Sequence, residues 1–176
     1  NPINMLQYAS ENSFAIPAFN VHNLETVQAV CEGAVAENSP VIIQTTPGTV
    51  NYAGLHYVTA IVKKAAEINN IPIALHLDHC TTYEMVVQCV VSGYSSIMID
   101  GAELPFEENV ELVRKTVEMA HAAGVSAEGE LGRLVGVEDD LEVSAEEAAF
   151  TVPEEAVEFV EKTGIDFLAI AIGTAH

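Results

Sequence analysis

Basic side chains are scarce in this sequence. Six lysines and arginines stand against 26 aspartates and glutamates in 176 residues, which gives a formal net charge of −20. Nucleic-acid backbones and anionic lipid headgroups are both bound through lysine and arginine, so a strongly acidic surface repels them. The composition therefore argues against a nucleic-acid partner and against binding to a membrane surface.

Long apolar runs are also lacking. No stretch approaches the roughly 20 apolar residues of a membrane-spanning helix. The start, NPINMLQYASENS, lacks the basic segment followed by an apolar one that marks a secretory signal. The three cysteines show no CxxC spacing, so we expect reduced thiols rather than a disulfide framework. These features predict a cytoplasmic protein.

What the sequence does contain is a regular alternation of two patterns. Short β-branched or apolar runs alternate with longer segments of helical period. The predicted strands are 14–19, 41–45, 73–78, 96–100, 125–130 and 167–172, and the predicted helices are 24–36, 55–68, 83–91, 106–123 and 154–162. Connections of this length make neighbouring strands parallel.

Two architectures fit this alternation: an open doubly wound sheet and a (β/α)8 TIM barrel. A nucleotide-binding open sheet favours a glycine-rich turn after its first strand, but PAFNVHNLE follows here, and neither GxGxxG nor GxxxxGK[ST] occurs. We therefore predict one barrel domain over residues 1–176. Six strands are visible where a barrel has eight, so we expect a barrel truncated after its sixth strand, with the last two βα units missing. The connection 131–152 is long for a βα loop, which indicates a functional loop.

Polar residues stand at the end of every predicted strand, and in a parallel barrel these ends converge on one site. They are Asn20, Thr45, Thr46, Asp78, His79, Asp100, Glu128, Glu130, Thr174 and His176. In ALHLDHC, strand alternation turns His76 and Asp78 toward the barrel interior, and Leu75 and Leu77 toward the helices. His79 then begins the loop over the mouth of the barrel.

The polar inventory favours metal-assisted acid–base chemistry. His79 and His176 both lie at strand ends, where two imidazoles can share a divalent cation such as Zn²⁺. Carboxylates inside a barrel mouth need a partner, which a cation supplies. All four lysines fall in helical segments, so a Schiff-base amine has no candidate, and no GxSxG serine motif occurs. His76, deeper in its strand, is expected to be a supporting or core group.

Several segments together resemble the class II, zinc-dependent fructose- and tagatose-bisphosphate aldolases. They are AIPAFNVHNLETVQAV, PGT, LHLDH, SIMIDGAELPFEENV, GELG followed by EDD, and IDFLAIAIGTAH, and they span essentially the whole chain. The resemblance implies a barrel-shaped lyase of glycolysis or related carbohydrate metabolism. Such an enzyme reversibly cleaves a ketose 1,6-bisphosphate, fructose or tagatose, into dihydroxyacetone phosphate and glyceraldehyde 3-phosphate. It also implies a homo-oligomer, dimer or tetramer.

The resemblance implies a metal site as well. His79 and His176 match the histidines that hold the catalytic zinc in this family. Asp100 and Glu130 match acidic residues that some members use for a second cation. The third zinc histidine and the glycine-rich loops for the substrate phosphate belong to strands beyond His176, so we expect the fragment alone to bind metal poorly and to turn over little.

Three further residues receive roles from the same resemblance. Asp78 matches the aspartate that exchanges a proton with the aldol oxygen during cleavage of the C3–C4 bond. Glu138, in the acidic loop, is a candidate for the base that takes the proton from the triose carbon. Asn20 matches a residue near the bound triose phosphate. The family often has paired glycines after ELG, whereas Val135 precedes Gly136 here, which we expect to stiffen the loop that carries Glu138.

Two other functions stay open. The first is a catalytically silent aldolase-like barrel that acts as the partner subunit of an active aldolase, although the retention of Asp78, His79 and His176 together counts against it. The second is a zinc hydrolase on the same fold. An amidohydrolase needs an HxH pair at its first strand, where only His22 is present.

Overall fold

A computed structural model describes residues 2–132, 136–138, 141–143 and 150–172. Its strands are β1 (Ala18–Asn20), β2 (Val41–Thr45), β3 (Ile73–Cys80), β4 (Ser96–Ile99), β5 (Ser126–Leu131), β6 (Gly136–Glu138), β7 (Leu141–Val143) and β8 (Phe167–Ile170). Six of them form one sheet in the order β1-β2-β3-β4-β5-β8, and every neighbouring pair is parallel. With helices between the strands, this is a partial (β/α) barrel.

The helices are α1 (Ile3–Glu11), α2 (Leu24–Ala36), α3 (Pro47–Ala53), α4 (Leu55–Ile68), α5 (Tyr83–Ser92), α6 (Phe106–Ala122) and α7 (Pro153–Thr163). Five of them were predicted. The short helix α3 was missed because PGT is typical of a turn. It forms because Pro47 occupies its first turn and the Thr46 hydroxyl accepts a hydrogen bond from the Thr49 amide at 3.3 Å. Helix α1 was also not predicted.

The two faces of the sheet bury different side chains, as the strand alternation predicts. Apolar residues such as Leu75, Leu77 and Ile97 face the helices and belong to the main hydrophobic core. That core also contains helical residues, among them Val62 on α4 and Val113 on α6. Burial of this apolar surface is the main term that holds the helices on the sheet.

Cysteines and membrane helices were the subject of two further predictions. Cys31, Cys80 and Cys89 are buried free thiols, in agreement with the sequence. Burial raises the pKa of all three thiols, that of Cys89 to about 12. Within the described residues, no helix is both long enough and apolar enough to cross a bilayer.

Strand boundaries differ from the prediction at both ends of the barrel. Strand β1 has three residues and begins only at Ala18, because Pro17 has no N–H to pair with a neighbouring strand. Strand β3 continues two residues beyond Asp78, through His79 and Cys80. Strand β8 ends at Ile170, two residues earlier than predicted.

The long connection after β5 contains two short strands within its described residues. It contains a two-stranded antiparallel hairpin, β6–β7, in which the backbone of Glu138 pairs with that of Leu141. The side chain of Glu138 and the whole of Val135 lie outside the described residues. The hairpin was not predicted because the apolar–acidic alternation in GVEDDLEV covers only two or three residues on each side and its turn contains no glycine.

Candidate active site

The end of strand β3 is irregular, and this irregularity aims two consecutive residues at one site. His79 has a backbone φ of 43°, in the left-handed region that non-glycine residues rarely adopt. The pairing register with β4 shifts between Leu77 and Cys80, which marks a bulge. Bulges re-aim side chains at functional sites. Here the bulge keeps Asp78 buried in the interior and also turns His79 inward.

His79, Asp100 and Glu130 form the main cluster of the site. They lie at the ends of β3, β4 and β5, and one ligand atom of each lies within 4.8 Å of the other two. The His79 Nδ1 atom is 3.1 Å from Asp100 Oδ2 and 3.4 Å from Glu130 Oε2. The Asp100 and Glu130 residues are 5% and 7% exposed, so water screens their charges poorly.

This donor set fits a divalent cation. Two buried carboxylates that face each other repel, and their burial is costly unless a positive charge compensates it. One imidazole and two carboxylates are ligands that Zn²⁺ and similar ions accept in proteins. The three groups come from neighbouring strands of a rigid parallel sheet, which fixes their separation before any ion binds.

Asp78 lies beside this cluster. One of its carboxylate oxygens accepts a hydrogen bond of 3.1 Å from the Asn20 side-chain amide, at the end of β1. The other is 4.0 Å from His79 Nε2. Asp78 is only 9% exposed. Its carboxylate is thus held from two sides at the mouth of the barrel, with the geometry of an oriented acid–base group.

A second polar layer lies deeper in the barrel interior. The His76 Nδ1 atom is 2.8 Å from the Ser96 hydroxyl, and its Nε2 atom is 3.5 Å from a Glu128 oxygen. Burial lowers the pKa of His76 to about 4. Burial, reinforced by the negative charge of Asp78, raises the pKa of Glu128 to about 7. Between these two values both side chains are neutral, so this contact is not an ion pair.

The remaining predicted site residues are placed only in part. His176 lies outside the described residues, so its position relative to His79 stays a prediction. The side chain of Glu138 is not described either.

The lysines contact groups of the helical layer, as their positions in the sequence predict. Lys63 donates to the Ser92 carbonyl, Lys64 pairs with Glu67, Lys115 lies over the Tyr83 ring, and Lys162 pairs with Glu107 and Glu158.

Two histidines outside the cluster have ordinary partners. His22 contacts the Thr49 hydroxyl at 2.7 Å. His121, at the end of α6, lies 2.9 Å from Asp166, which precedes β8. Asp166 also accepts a hydrogen bond of 2.8 Å from the Ala127 amide, near the start of β5. His121 and Asp166 therefore lie at the end of the barrel opposite the candidate site.

The comparison with known proteins is clear at the level of the family. The sequence profile of the class II fructose-bisphosphate aldolases matches residues 1–176. The chain belongs to this aldolase family. Its resemblance in LHLDH and IDFLAIAIGTAH is therefore confirmed as a family relationship.

The relatives of this chain are longer than the chain itself. The D-tagatose-1,6-bisphosphate aldolase subunit GatY of Klebsiella oxytoca is 52% identical over 173 residues, which are 98% of this chain and 61% of that protein. The YdjI aldolase of Escherichia coli K12 superposes with a TM-score of 0.88 at 32% identity, over 100% of this chain and 63% of that chain. A candidate fructose-1,6-bisphosphate aldolase of Coccidioides immitis gives 0.90 at 37% identity, over 99% and 61%. The chain thus spans about three fifths of each relative.

Some residues in or next to the candidate site were not given a role from the sequence. Glu128 was recognised only as polar at a strand end, and Ser96 was not singled out. Asn109 was missed altogether, although one signal was available. It interrupts the apolar face of α6, where Phe106, Val110 and Val113 point to the core, and a polar residue on such a face needs a buried partner.

Proposed function

We propose that the protein is a metal-dependent aldolase that reversibly cleaves a ketose 1,6-bisphosphate into dihydroxyacetone phosphate and glyceraldehyde 3-phosphate. The observation that carries this proposal is the approach of His79, Asp100 and Glu130 to within 4.8 Å, with the carboxylate of Asp78 beside them, in a class II aldolase chain. We propose also that the complete protein closes an eight-stranded barrel, because its relatives are longer.

In the proposed site, His79 and His176 would hold the catalytic Zn²⁺, and Asp100 and Glu130 would provide a position for the ion or for a second cation. The bound cation supplies Lewis-acid stabilisation of the negative charge that develops on the triose fragment. The buried carboxylates support this assignment, since they need a compensating charge.

Asp78 is proposed to accept the proton of the C4 hydroxyl. The electron pair of that O–H bond forms the carbonyl of glyceraldehyde 3-phosphate as the C3–C4 bond breaks, and the pair from the broken bond remains on the triose fragment. The hydrogen bond from Asn20 leaves the second Asp78 oxygen facing the His79 side of the mouth. In the condensation direction Asp78 returns the same proton.

Glu138 is proposed to exchange the proton on the triose carbon. In cleavage it protonates the carbon that carries the electron pair, which yields dihydroxyacetone phosphate. In condensation it removes that proton. The β6–β7 hairpin, which follows the same strand as Glu130, supports the proposal because it is attached to the mouth of the barrel. Asn20 is proposed to lie near the triose phosphate as well as holding Asp78.

Tagatose 1,6-bisphosphate is the favoured substrate over the fructose epimer. The identity of 52% to a tagatose-bisphosphate aldolase subunit supports this choice, compared with 37% to the candidate fructose-bisphosphate aldolase. The two substrates differ in configuration at C4, the carbon whose hydroxyl Asp78 is proposed to deprotonate. We propose that the complete protein is a cytoplasmic homo-oligomer.

The test measures triose phosphate release from each epimer by the complete protein, before and after dialysis against EDTA and after zinc is restored. The proposal expects activity that is lost with EDTA and restored by zinc, with tagatose 1,6-bisphosphate the better substrate. Full activity in EDTA would rule out the metal mechanism.

A partner-subunit role is the second candidate. The matched relative GatY is called an aldolase subunit, which supports the idea that such a chain works with another. If the metal-loaded protein cleaves neither epimer, the silent-subunit function replaces the proposed one.

A further inference from the structure

Asn109 is a buried polar residue that the proposed chemistry does not use. It lies on α6, on the helical side of the sheet, and is 1% exposed. Its side-chain amide donates a hydrogen bond of 2.9 Å to the main-chain carbonyl of Glu130. A carbonyl can only accept, so this contact fixes which end of the amide group faces Glu130.

The other end of the same amide packs against Gly101, in the turn that follows β4. A methyl group built on Gly101 would lie 2.3 Å from Asn109 Oδ1 and 2.9 Å from its Cγ. Both distances are far below van der Waals contact, so the absence of a side chain at Gly101 is what lets the amide approach the turn after β4. Within the described part of the chain, Asn109 Oδ1 has no hydrogen-bond partner and is shielded from solvent.

Gly101 and Glu130 connect this amide to both carboxylates of the candidate metal site. Gly101 directly follows Asp100, whose side chain accepts a hydrogen bond of 3.0 Å from the Ala102 amide in the same turn. Asn109 therefore packs on the turn that orients Asp100 and is bonded to the main chain of Glu130. It is a wedge between the ends of β4 and β5.

We infer that Asn109 is a positioning residue that sets the separation of Asp100 and Glu130 and thereby the affinity of the site for its divalent cation. The inference rests on the proposed metal site. The two carboxylates repel each other, so a site without a bound ion needs a rigid element to keep them close. A buried hydrogen bond to one strand and close packing on the other supply that element. Groups that orient metal ligands in this way typically change metal affinity by about 10-fold to 100-fold when removed.

The test compares metal binding by variants of the complete protein. Asn109→Leu keeps the branching and the number of side-chain heavy atoms and removes the donor, whereas Asn109→Ala removes the wedge and leaves space in which water can reach the Glu130 carbonyl. Gly101→Ala disturbs the same contact from the turn after β4. Thr116→Val is the matched control, because Thr116 is buried on the same helix and its hydroxyl donates to the Leu112 carbonyl of its own helix.

Zinc affinity is measured by competition with a chromogenic chelator, and the visible spectrum of the Co²⁺ form reports the ligand geometry. We expect Asn109→Leu and Gly101→Ala to bind Zn²⁺ at least about 10-fold more weakly than the unaltered protein, with a changed Co²⁺ spectrum. Asn109→Ala should show a smaller loss of zinc affinity. The zinc affinity of Thr116→Val should stay within about twofold of that of the unaltered protein, even if its melting temperature falls, because its hydrogen bond lies within one helix.

The outcomes separate this inference from the proposed function. If the unaltered protein binds no zinc, the proposed metal site itself fails. If it binds zinc and the folded Asn109 variants bind it equally well, only the role of Asn109 is overturned. Should Asn109→Leu not fold, Asn109→Ala and Gly101→Ala carry the same test. Failure of all three to fold beside a folded Thr116→Val would contradict a role confined to positioning.

Discussion

The two faces of the six-stranded sheet carry opposite kinds of side chain along the same strands. In β3, Leu75 and Leu77 face the helices and are buried in an apolar core, whereas His76 and Asp78 face the barrel interior. The helix-facing side is stabilised by burial of apolar surface. The interior side holds charged and polar groups whose burial costs free energy unless they find partners. One strand thus combines a scaffold with a reactive surface.

The comparison predicts that substitutions on the interior face affect chemistry far more than stability. Asp78→Ala should lower turnover about 100-fold to 10,000-fold, the usual contribution of a positioned acid–base group. Zinc affinity and melting temperature should change little, because Asp78 is not among the three clustered ligands. Steady-state cleavage rates and a zinc titration check this, with Asp78→Asn as the companion of matched shape. A rate near that of the unaltered protein would refute the role of Asp78.

Substitution on the opposite face should show the reverse pattern. Leu77 is fully buried against the helices. Leu77→Ala should lower the free energy of unfolding by about 2 to 5 kcal/mol, because it removes apolar contacts and leaves a cavity. Turnover per folded molecule should stay close to normal. Urea unfolding checks the prediction, and Leu24→Ala is the control, since Leu24 is 48% exposed. Equal destabilisation by both variants would show that the helix-facing core does not carry the stability.

The neutral layer of His76 and Glu128 gives a pH test of the interior face in metal-free protein. The folded pKa of Glu128, about 7, lies above its ordinary value of 4.5, so its contribution is complete below pH 4.5 and is lost as pH rises through 7. The folded pKa of His76, about 4, lies below 6.5, so its contribution is complete above pH 6.5 and is lost as pH falls through 4. Between about pH 4.5 and 6.5, Glu128 therefore lowers the free energy of unfolding as pH rises and His76 raises it, so the two pH dependences largely cancel.

Removal of either partner should therefore expose the pH dependence of stability that the other side chain causes. Glu128→Gln should lose stability as pH falls from 7.5 to 5.0, and His76→Gln should lose stability as pH rises over the same range, each by about 1 to 2 kcal/mol. Urea unfolding in EDTA at several pH values measures both slopes. Parallel slopes in the two variants would contradict the neutral pairing.

A smaller loss of stability is expected from a substitution at the strand ends. Thr151 donates a hydrogen bond from its hydroxyl to the Leu131 carbonyl, and that hydroxyl accepts one of 2.8 Å from the Ala171 amide. Thr151 thus ties the end of β5 to the end of β8. Thr151→Val should cost about 1 kcal/mol and speed hydrogen exchange of the Ala171 amide. Thr163→Val is the control, because the Thr163 hydroxyl donates to the Phe159 carbonyl within α7. Unchanged exchange at Ala171 would show that the tie is dispensable.

Much of this division between faces was predictable from the sequence. The alternation in ALHLDHC predicts the inward and outward residues of β3, because side chains of a strand point to opposite faces in turn. The alternation of strands and helices likewise predicts the parallel order. The convergence of Asp100, Glu130 and His79 follows from the rule that strand ends meet at one edge of the sheet.

Other features required the structure because no local pattern encodes them. The left-handed backbone of His79 depends on the bulge between β3 and β4, a tertiary feature. The hydrogen bond between Asn20 and Asp78 joins residues 58 positions apart. The wedge formed by Asn109 depends on the missing side chain of Gly101, and a glycine after a strand reads simply as a turn.

The central claim is that the ends of β3, β4 and β5 form a divalent-cation site through His79, Asp100 and Glu130. Its most direct test is the zinc content of the complete protein, measured by inductively coupled plasma mass spectrometry after equilibration with zinc and gel filtration. His79→Ala is compared with His121→Ala, a histidine at the opposite end of the barrel. The account predicts at least one zinc per chain in the unaltered protein and in His121→Ala, and less than about a tenth of that amount in His79→Ala. Equal zinc in the two variants would contradict it.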